Sequence, residues 1–205
     1  MPNEDDFLIA DLLGDVDTLE TDDMPAQRAT TISPRRRYER VLQQQALAEV
    51  MPTPPAPGES VHVLSAAKFD FWTWVPAMIE WIDHTADLYC STWTLNRPNA
   101  VEFFEIWDAG QIGTAHFLTG LYFKRRESAV YAYLLEGIRQ RGGRYRALRN
   151  PAKVLLLNNP DRNAWLTVEG SANLTSNPRL EQYIITNDRG LYEFHRGWMD
   201  EVFTP

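Results

Sequence analysis

The sequence predicts an α/β fold, a mixed sheet flanked by helices, from three observations. From residue 61 onward, strand-like and helix-like patterns alternate along the chain, as in a layered α/β domain. Val154-Leu155-Leu156-Leu157 is a short continuous apolar run, the pattern of a strand buried on both faces. A second strand pattern with Trp165, Leu166 and Val168 follows directly after the turn at residues 158–161.

Taken in order, residues 1–25 are acidic, with Phe7, Leu8, Ile9, Leu12 and Leu13 scattered among the charges. They read as a solvated leader, as a docking peptide, or as an acidic mimic of DNA resting in a phosphate site. Residues 34–50 read as a helix: Ser33 caps it, Pro34 fits its first turn, and Tyr38, Val41, Leu42 and Leu47 give partial helical spacing. Arg35, Arg36, Arg37 and Arg40 cluster at its start, facing nucleic-acid phosphates, solvent or the acidic leader. Pro52, Pro54, Pro55, Pro57 and Gly58 mark an extended linker. The chain therefore divides into an arm over 1–60 and a domain over 61–205.

Within the domain, strands are expected at 61–64, 86–93, 113–123, 144–148, 154–157, 164–168 and 182–186. Helices are expected at 71–82, 99–109, 127–140 and 191–202. In the first of these, Pro76 is tolerable only near the start. The second carries Val101, Phe104 and Trp107 on one face, and Gly142-Gly143 stops the third. The tryptophans read mostly as core; Trp93, at a strand end, is the one placed for base stacking.

The net charge of −8 is a property of the leader. Nine of the 28 acidic residues fall within residues 1–25, which hold no Lys or Arg, leaving 19 acidic against 20 basic residues in the body. Cys90 is the single cysteine, so an intrachain disulfide and a cysteine-based zinc site are both excluded, in keeping with a reducing cytoplasm. No apolar run approaches membrane-helix length, and the acidic start argues against a secretory signal.

The stretch around which the domain is organised is NPAKVLLLNNPDRNAWLTVEGSANLTSNPRLE, residues 150–181. Gly170-Ser171-Ala172-Asn173 follows a strand with small residues that let backbone N–H groups approach a ligand, and Ser171 and Asn173 add side-chain donors. This is the chemistry of an oxyanion or phosphate cradle. The stretch resembles the phosphodiesterase motif of the phospholipase D superfamily, which runs His-x-Lys, a short strand and turn, then Gly-Ser-x-Asn. Gly170-Ser171-Ala172-Asn173-Leu174-Thr175 matches its second half, Lys153 its lysine, and Asn177 and Glu181 the polar segment that follows. The family's histidine would stand two residues before Lys153, where this chain has Pro151; Asn158 stands where many members carry aspartate, and the spacing from Lys153 to Gly170 is longer. The resemblance covers residues from about 86 to the C-terminus and extends to small single-motif members carried by phages and prophages.

The resemblance implies metal-free, cofactor-free phosphodiester chemistry in which the histidine attacks phosphorus, a second histidine protonates the leaving oxygen, and a single-motif chain dimerises to complete the site. Proline has no side chain able to attack phosphorus, so that mechanism fails at Pro151. What is implied is a degenerate, dimeric domain that binds nucleic acid, DNA ahead of RNA, through Lys153, Gly170, Ser171, Asn173, Arg149 and Arg179, with Glu181 pairing to Lys153 or Arg179 or capping a turn. The acidic arm is a candidate surface for a protein partner or for regulating binding. One alternative is an active metal-independent nuclease, for which His116 is the best substitute nucleophile among His62, His84, His116 and His195. Another is a structural phage interaction protein whose cradle is a relic. Arg144 and Arg146, with Lys124-Arg125-Arg126, extend a basic face on the first reading and are a solvated surface on the bland one.

Overall fold

A computed structural model of the chain describes residues 36–41, 47, 51–65, 71–175 and 180–204. The strands are β1 (Arg36–Val41), β2 (Ser60–Ser65), β3 (Ala86–Ser91), β4 (Ile112–Gly120), β5 (Arg144–Leu148), β6 (Val154–Asn159), β7 (Ala164–Gly170) and β8 (Glu181–Asn187). The helices are α1 (Trp74–Ile82), α2 (Arg97–Asp108), α3 (Leu121–Arg126), α4 (Ser128–Gln140) and α5 (Arg189–Phe203). The strands form one open mixed sheet in the order β1-β2-β8-β7-β6-β3-β4-β5. The fold is α/β, as the alternating pattern predicts.

Pairing follows from the connections. β3, β4 and β5 are parallel, because α2 and the α3–α4 pair carry the chain back between them. β6 and β7 form an antiparallel hairpin closed by a short 3-10 turn at Pro160–Arg162, where the Asn159 side chain accepts from the backbone N–H of Asp161 and Arg162. β8 lies antiparallel between β7 and β2, and β6 antiparallel to β3.

The sheet is covered unequally. One face packs Leu88, Cys90, Phe117, Leu155, Val168 and Tyr183 against the aromatic side chains of α1 and α2 and against Leu134 and Ile138 of α4. The other face packs Tyr89, Leu118, Leu156 and Trp165 against Tyr192 and Met199 of α5. Val154, Leu155, Leu156 and Leu157 are all buried, two toward each layer, which explains why the run has no polar alternation.

Five local expectations are corrected. The helix expected over 34–50 is not what residues 36–41 adopt: they are strand β1, parallel to β2 with Arg36 opposite Ser60. The outer edge of β2 presents a row of backbone donors and acceptors, and pairing satisfies them, a tertiary demand that outweighs weak helical spacing. The linker is likewise tied to the sheet. The Gly58 N–H donates to Asn187 O at 2.6 Å, the Asn187 side-chain amide donates to Pro55 O at 2.9 Å, and Met51 is fully buried. The strand expected over 113–123 ends at Gly120, whose N–H donates to Trp93 O, and α3 begins at Leu121. The turn expected at 158–161 starts later, since β6 continues through Asn159. α2 begins at Arg97, with Asn96 capping it through Asn99 N–H at 2.9 Å; its buried side is Ala100, Phe103, Phe104 and Trp107, and Val101 is half-buried.

Candidate functional site

The register gathers one end of the sheet. There Ser91 of β3 faces Val154 of β6, Val154 faces Glu169 of β7, Gly170 faces Tyr183 of β8, and Ser65 of β2 faces Glu181. Lys153 precedes β6, Ser171 follows β7 and Glu181 opens β8, so alternating chain direction delivers the three to the same edge.

The Ser171 hydroxyl donates to Glu181 Oε2 and accepts from the Gln182 N–H at 3.0 Å. Glu181 is 7% exposed, so its carboxylate is held inside the edge. Lys153 Nζ donates to Pro151 O at 2.8 Å. Burial lowers its pKa from the ordinary lysine value, and the charge of Glu181 partly offsets this. Gly170 is required by close approach: a Cβ there would lie 2.7 Å from Tyr183 Cδ1 and 3.2 Å from Gln182 O. The Asn173 carbonyl accepts from the Phe71 N–H at 3.3 Å, while its side-chain Oδ1 is buried without a hydrogen-bond partner.

Two groups of residues that the sequence reading did not single out shape this edge. Asn150 Nδ2 donates to Ser91 Oγ at 2.6 Å, Ser91 Oγ donates to Ala152 O at 3.1 Å, and the Ala152 N–H donates back to Asn150 Oδ1 at 3.0 Å. This ring fixes the turn that carries Pro151 and aims Lys153. The Asn150-Pro151 pair, a turn former, is its only local sequence signal. On the other side, Asn99 Nδ2 and the Asn96 N–H both donate to Leu174 O, and the Leu174 N–H donates to Thr92 Oγ1. Leu95 and Leu174 form an isolated parallel bridge, so the Gly170–Thr175 loop, residues 170–175, is stitched to the β3–α2 connection.

Lys153, Ser171, Glu181 and Gly170 are thus brought together, with Asn173 in the same loop. Arg149 is exposed just before Asn150 at this end. Arg179 and Asn177 lie outside the described residues. His116 is not brought there. It sits mid-strand in β4, opposite Tyr89 and Arg144, on the face covered by α5, and accepts from Arg144 Nε at 2.7 Å. Burial, followed by the Arg144 charge, lowers its pKa to about 4, so the imidazole is neutral. His195 has both nitrogens engaged: Trp198 Nε1 donates to Nδ1 at 3.0 Å and Nε2 lies 3.4 Å from Glu169. His84 follows α1 at the opposite end of the sheet, and His62 lies within β2 opposite Ile184. Of the basic residues named with the site, Arg144 pairs with Asp200 and Arg146 donates to Val202 O, both against α5. Lys124, Arg125 and Arg126 are exposed on α3, which begins where β4 ends.

Among the described residues no group of three or more His, Cys, Asp or Glu side chains is placed to hold a metal ion, and no helix is long and apolar enough to cross a membrane.

Fold and edge together define an α/β domain with polar and basic residues gathered at one end of a mixed sheet. No protein-family model matches the chain, and no curated protein sequence matches it. Among solved structures, it is similar to polyphosphate kinase from Porphyromonas gingivalis, with a TM-score of 0.50 and 11% identity over 72% of this chain and 26% of that one. It is also similar to TrmBL2, an archaeal chromatin protein with a novel mode of DNA binding, with a TM-score of 0.43 and 12% identity over 65% of this chain and 49% of that one. The first likeness is one of fold: the chain spans about a quarter of the length of the polyphosphate kinase.

Proposed function

We propose that the chain is a phospholipase D-like domain that holds the phosphate backbone of nucleic acid, DNA ahead of RNA, at the Lys153–Ser171 edge and does not turn it over. The observation that carries the reading is the convergence of Lys153, Ser171 and Glu181 from three strands on one sheet end, with Pro151 at the nucleophile position. A lysine ammonium and a small polar loop suit non-bridging phosphate oxygens. Exposed Arg149, Lys124, Arg125 and Arg126 add local positive charge in a chain whose net charge is −8. A fold shared with a protein named for its action on polyphosphate is in keeping with phosphate recognition. A dimer facing two such edges together, and regulation by the acidic leader, belong to the same proposal.

Titration of the full chain with labelled DNA and RNA at low salt, followed by incubation in EDTA, tests it. Wild type is expected to bind without cutting, Lys153→Ala to weaken binding about tenfold, the loss typical of a charged hydrogen bond, and Pro151→His to restore metal-free cleavage. Absence of binding to either polymer overturns the reading. Cleavage by wild type overturns the inactive part of it.

A further inference from the structure

We infer that Trp93 and Tyr122 form a base-stacking platform that makes the cradle end selective for single-stranded over duplex nucleic acid; this rests on the phosphate-binding reading above. Both rings belong to the large apolar side chains left in solvent, at 40% and 42% exposure, although stacking an aromatic ring into the nearby core would be favourable. They lie on each other with centroids 4.9 Å apart and planes at 20°. The pair is held rigidly from both sides. Trp93 O accepts from the Gly120 N–H at 3.1 Å, and the ring lies so close to Gly120 that a Cβ there would meet Trp93 Cδ1 at 2.4 Å. Arg126 donates to the Tyr122 hydroxyl and stands 5.6 Å from the ring centroid.

Position and charge say what the platform takes. Trp93 follows Ser91 by two residues and Lys153 precedes Val154 by one, and Ser91 faces Val154, so the platform and Lys153 leave the same sheet end on neighbouring strands. Lys124, Arg125 and Arg126 flank Tyr122 on the short helix α3. An exposed aromatic pair with the Arg126 guanidinium against it, at the sheet end that carries Lys153, matches a nucleotide whose base is unpaired. Bases inside a duplex are already stacked and offer the platform no face. A preformed platform loses little side-chain entropy on binding, which favours stacking over adaptive contact.

The test uses the full chain and three probes: labelled oligothymidylate of about 15 nucleotides, a duplex of the same length, and inorganic polyphosphate as a base-free competitor. Wild type is expected to bind the single strand more tightly than the duplex. The double variant Trp93→Ala/Tyr122→Ala should lose about five- to a hundredfold in affinity for oligothymidylate and leave competition by polyphosphate unchanged. Trp93→Phe, which keeps a ring, should retain most of the affinity. Equal loss toward oligothymidylate and polyphosphate, unchanged oligothymidylate affinity in the double variant, or a wild-type preference for duplex overturns the inference while the phosphate reading stands. If wild type binds neither polyanion, the phosphate reading falls and takes the platform with it.

Discussion

Lys153 and Glu181 flank Ser171 from strands on either side of β7, and their opposite charges set the electrostatics of the edge. The Glu181 carboxylate has the same sign of charge as any bound anion and repels it. Glu181→Gln keeps an acceptor for the Ser171 hydroxyl and removes that charge, so affinity for a polyanion should rise about fivefold at low salt, the opposite sign to Lys153→Ala. Competition with inorganic polyphosphate measures both variants on one scale, and equal signs would show that phosphate does not rest at this edge. His116 carries a second prediction. Folding lowers its pKa from the ordinary 6.5 to about 4, through burial first and the Arg144 guanidinium second. Between those two values the unfolded imidazole is protonated and the folded one is not, so the unfolded state binds more protons and stability falls as pH falls. The stabilising effect is fully present above pH 6.5 and is lost toward about pH 4. The urea midpoint should drop between about pH 7 and about pH 5, and His116→Phe, which preserves the ring against Tyr89 and Phe203, should flatten that slope. An unchanged slope would place the proton uptake elsewhere.

At the scale of elements, the edge depends on how β7 ends. Gly170 is the last residue of the strand and lies against the Tyr183 ring, which is fully buried between Phe71 and Trp74. Because that ring is trapped in the core, Gly170→Ala cannot be relieved by a side-chain swing. It should cost about 1–3 kcal/mol in chemical denaturation and shift the Ser171 loop, weakening anion binding as well. Retained stability would show that the backbone of β7 moves instead. α5 closes the second face, and its start is set by Asp188, whose side chain accepts from the Leu191 N–H at 2.8 Å. The neighbouring Asn187 ties three elements at once, accepting from the Trp165 N–H and donating to Pro55 O. The linker therefore reads as an extended spacer by composition and is tethered in the fold, because its backbone groups meet the end of β8.

Across the whole molecule, charge is distributed rather than merely summed. Lys124, Arg125, Arg126, Arg149 and Lys153 lie at the cradle end. At the other end of the sheet Asp83 pairs with Arg162, Asp108 pairs with Arg141, and Glu80, Asp83 and Glu102 line a cavity of about 590 Å3 between α1 and α2. The nine carboxylates of residues 1–25 are a further, concentrated negative charge. Deleting residues 1–25 should strengthen binding of single-stranded nucleic acid at low salt, with the difference shrinking as salt rises. Unchanged affinity at low salt would separate the leader from the binding edge.

The α/β class was legible because strand and helix patterns alternate, and β6 because a run of four apolar residues can be buried between two layers only in a sheet covered on both faces. That Lys153, Gly170, Ser171 and Glu181 stand at strand ends was legible, because small and polar residues there follow and precede apolar strand runs, and that is a local property. β1 was not legible, since its reason is the unpaired edge of β2, distant in sequence. Nor were Ser91, Asn150 and Asn99, whose partners lie 61, 59 and 75 residues away and whose roles arise only from strand register. The face of His116 was undecidable from alternation, because both faces of β4 are buried, and only the placement of α5 over one of them settled it. By itself the sequence determined which residue types could meet a phosphate; tertiary structure decided which of them meet, because antiparallel β6, β7 and β8 return their ends to a single edge.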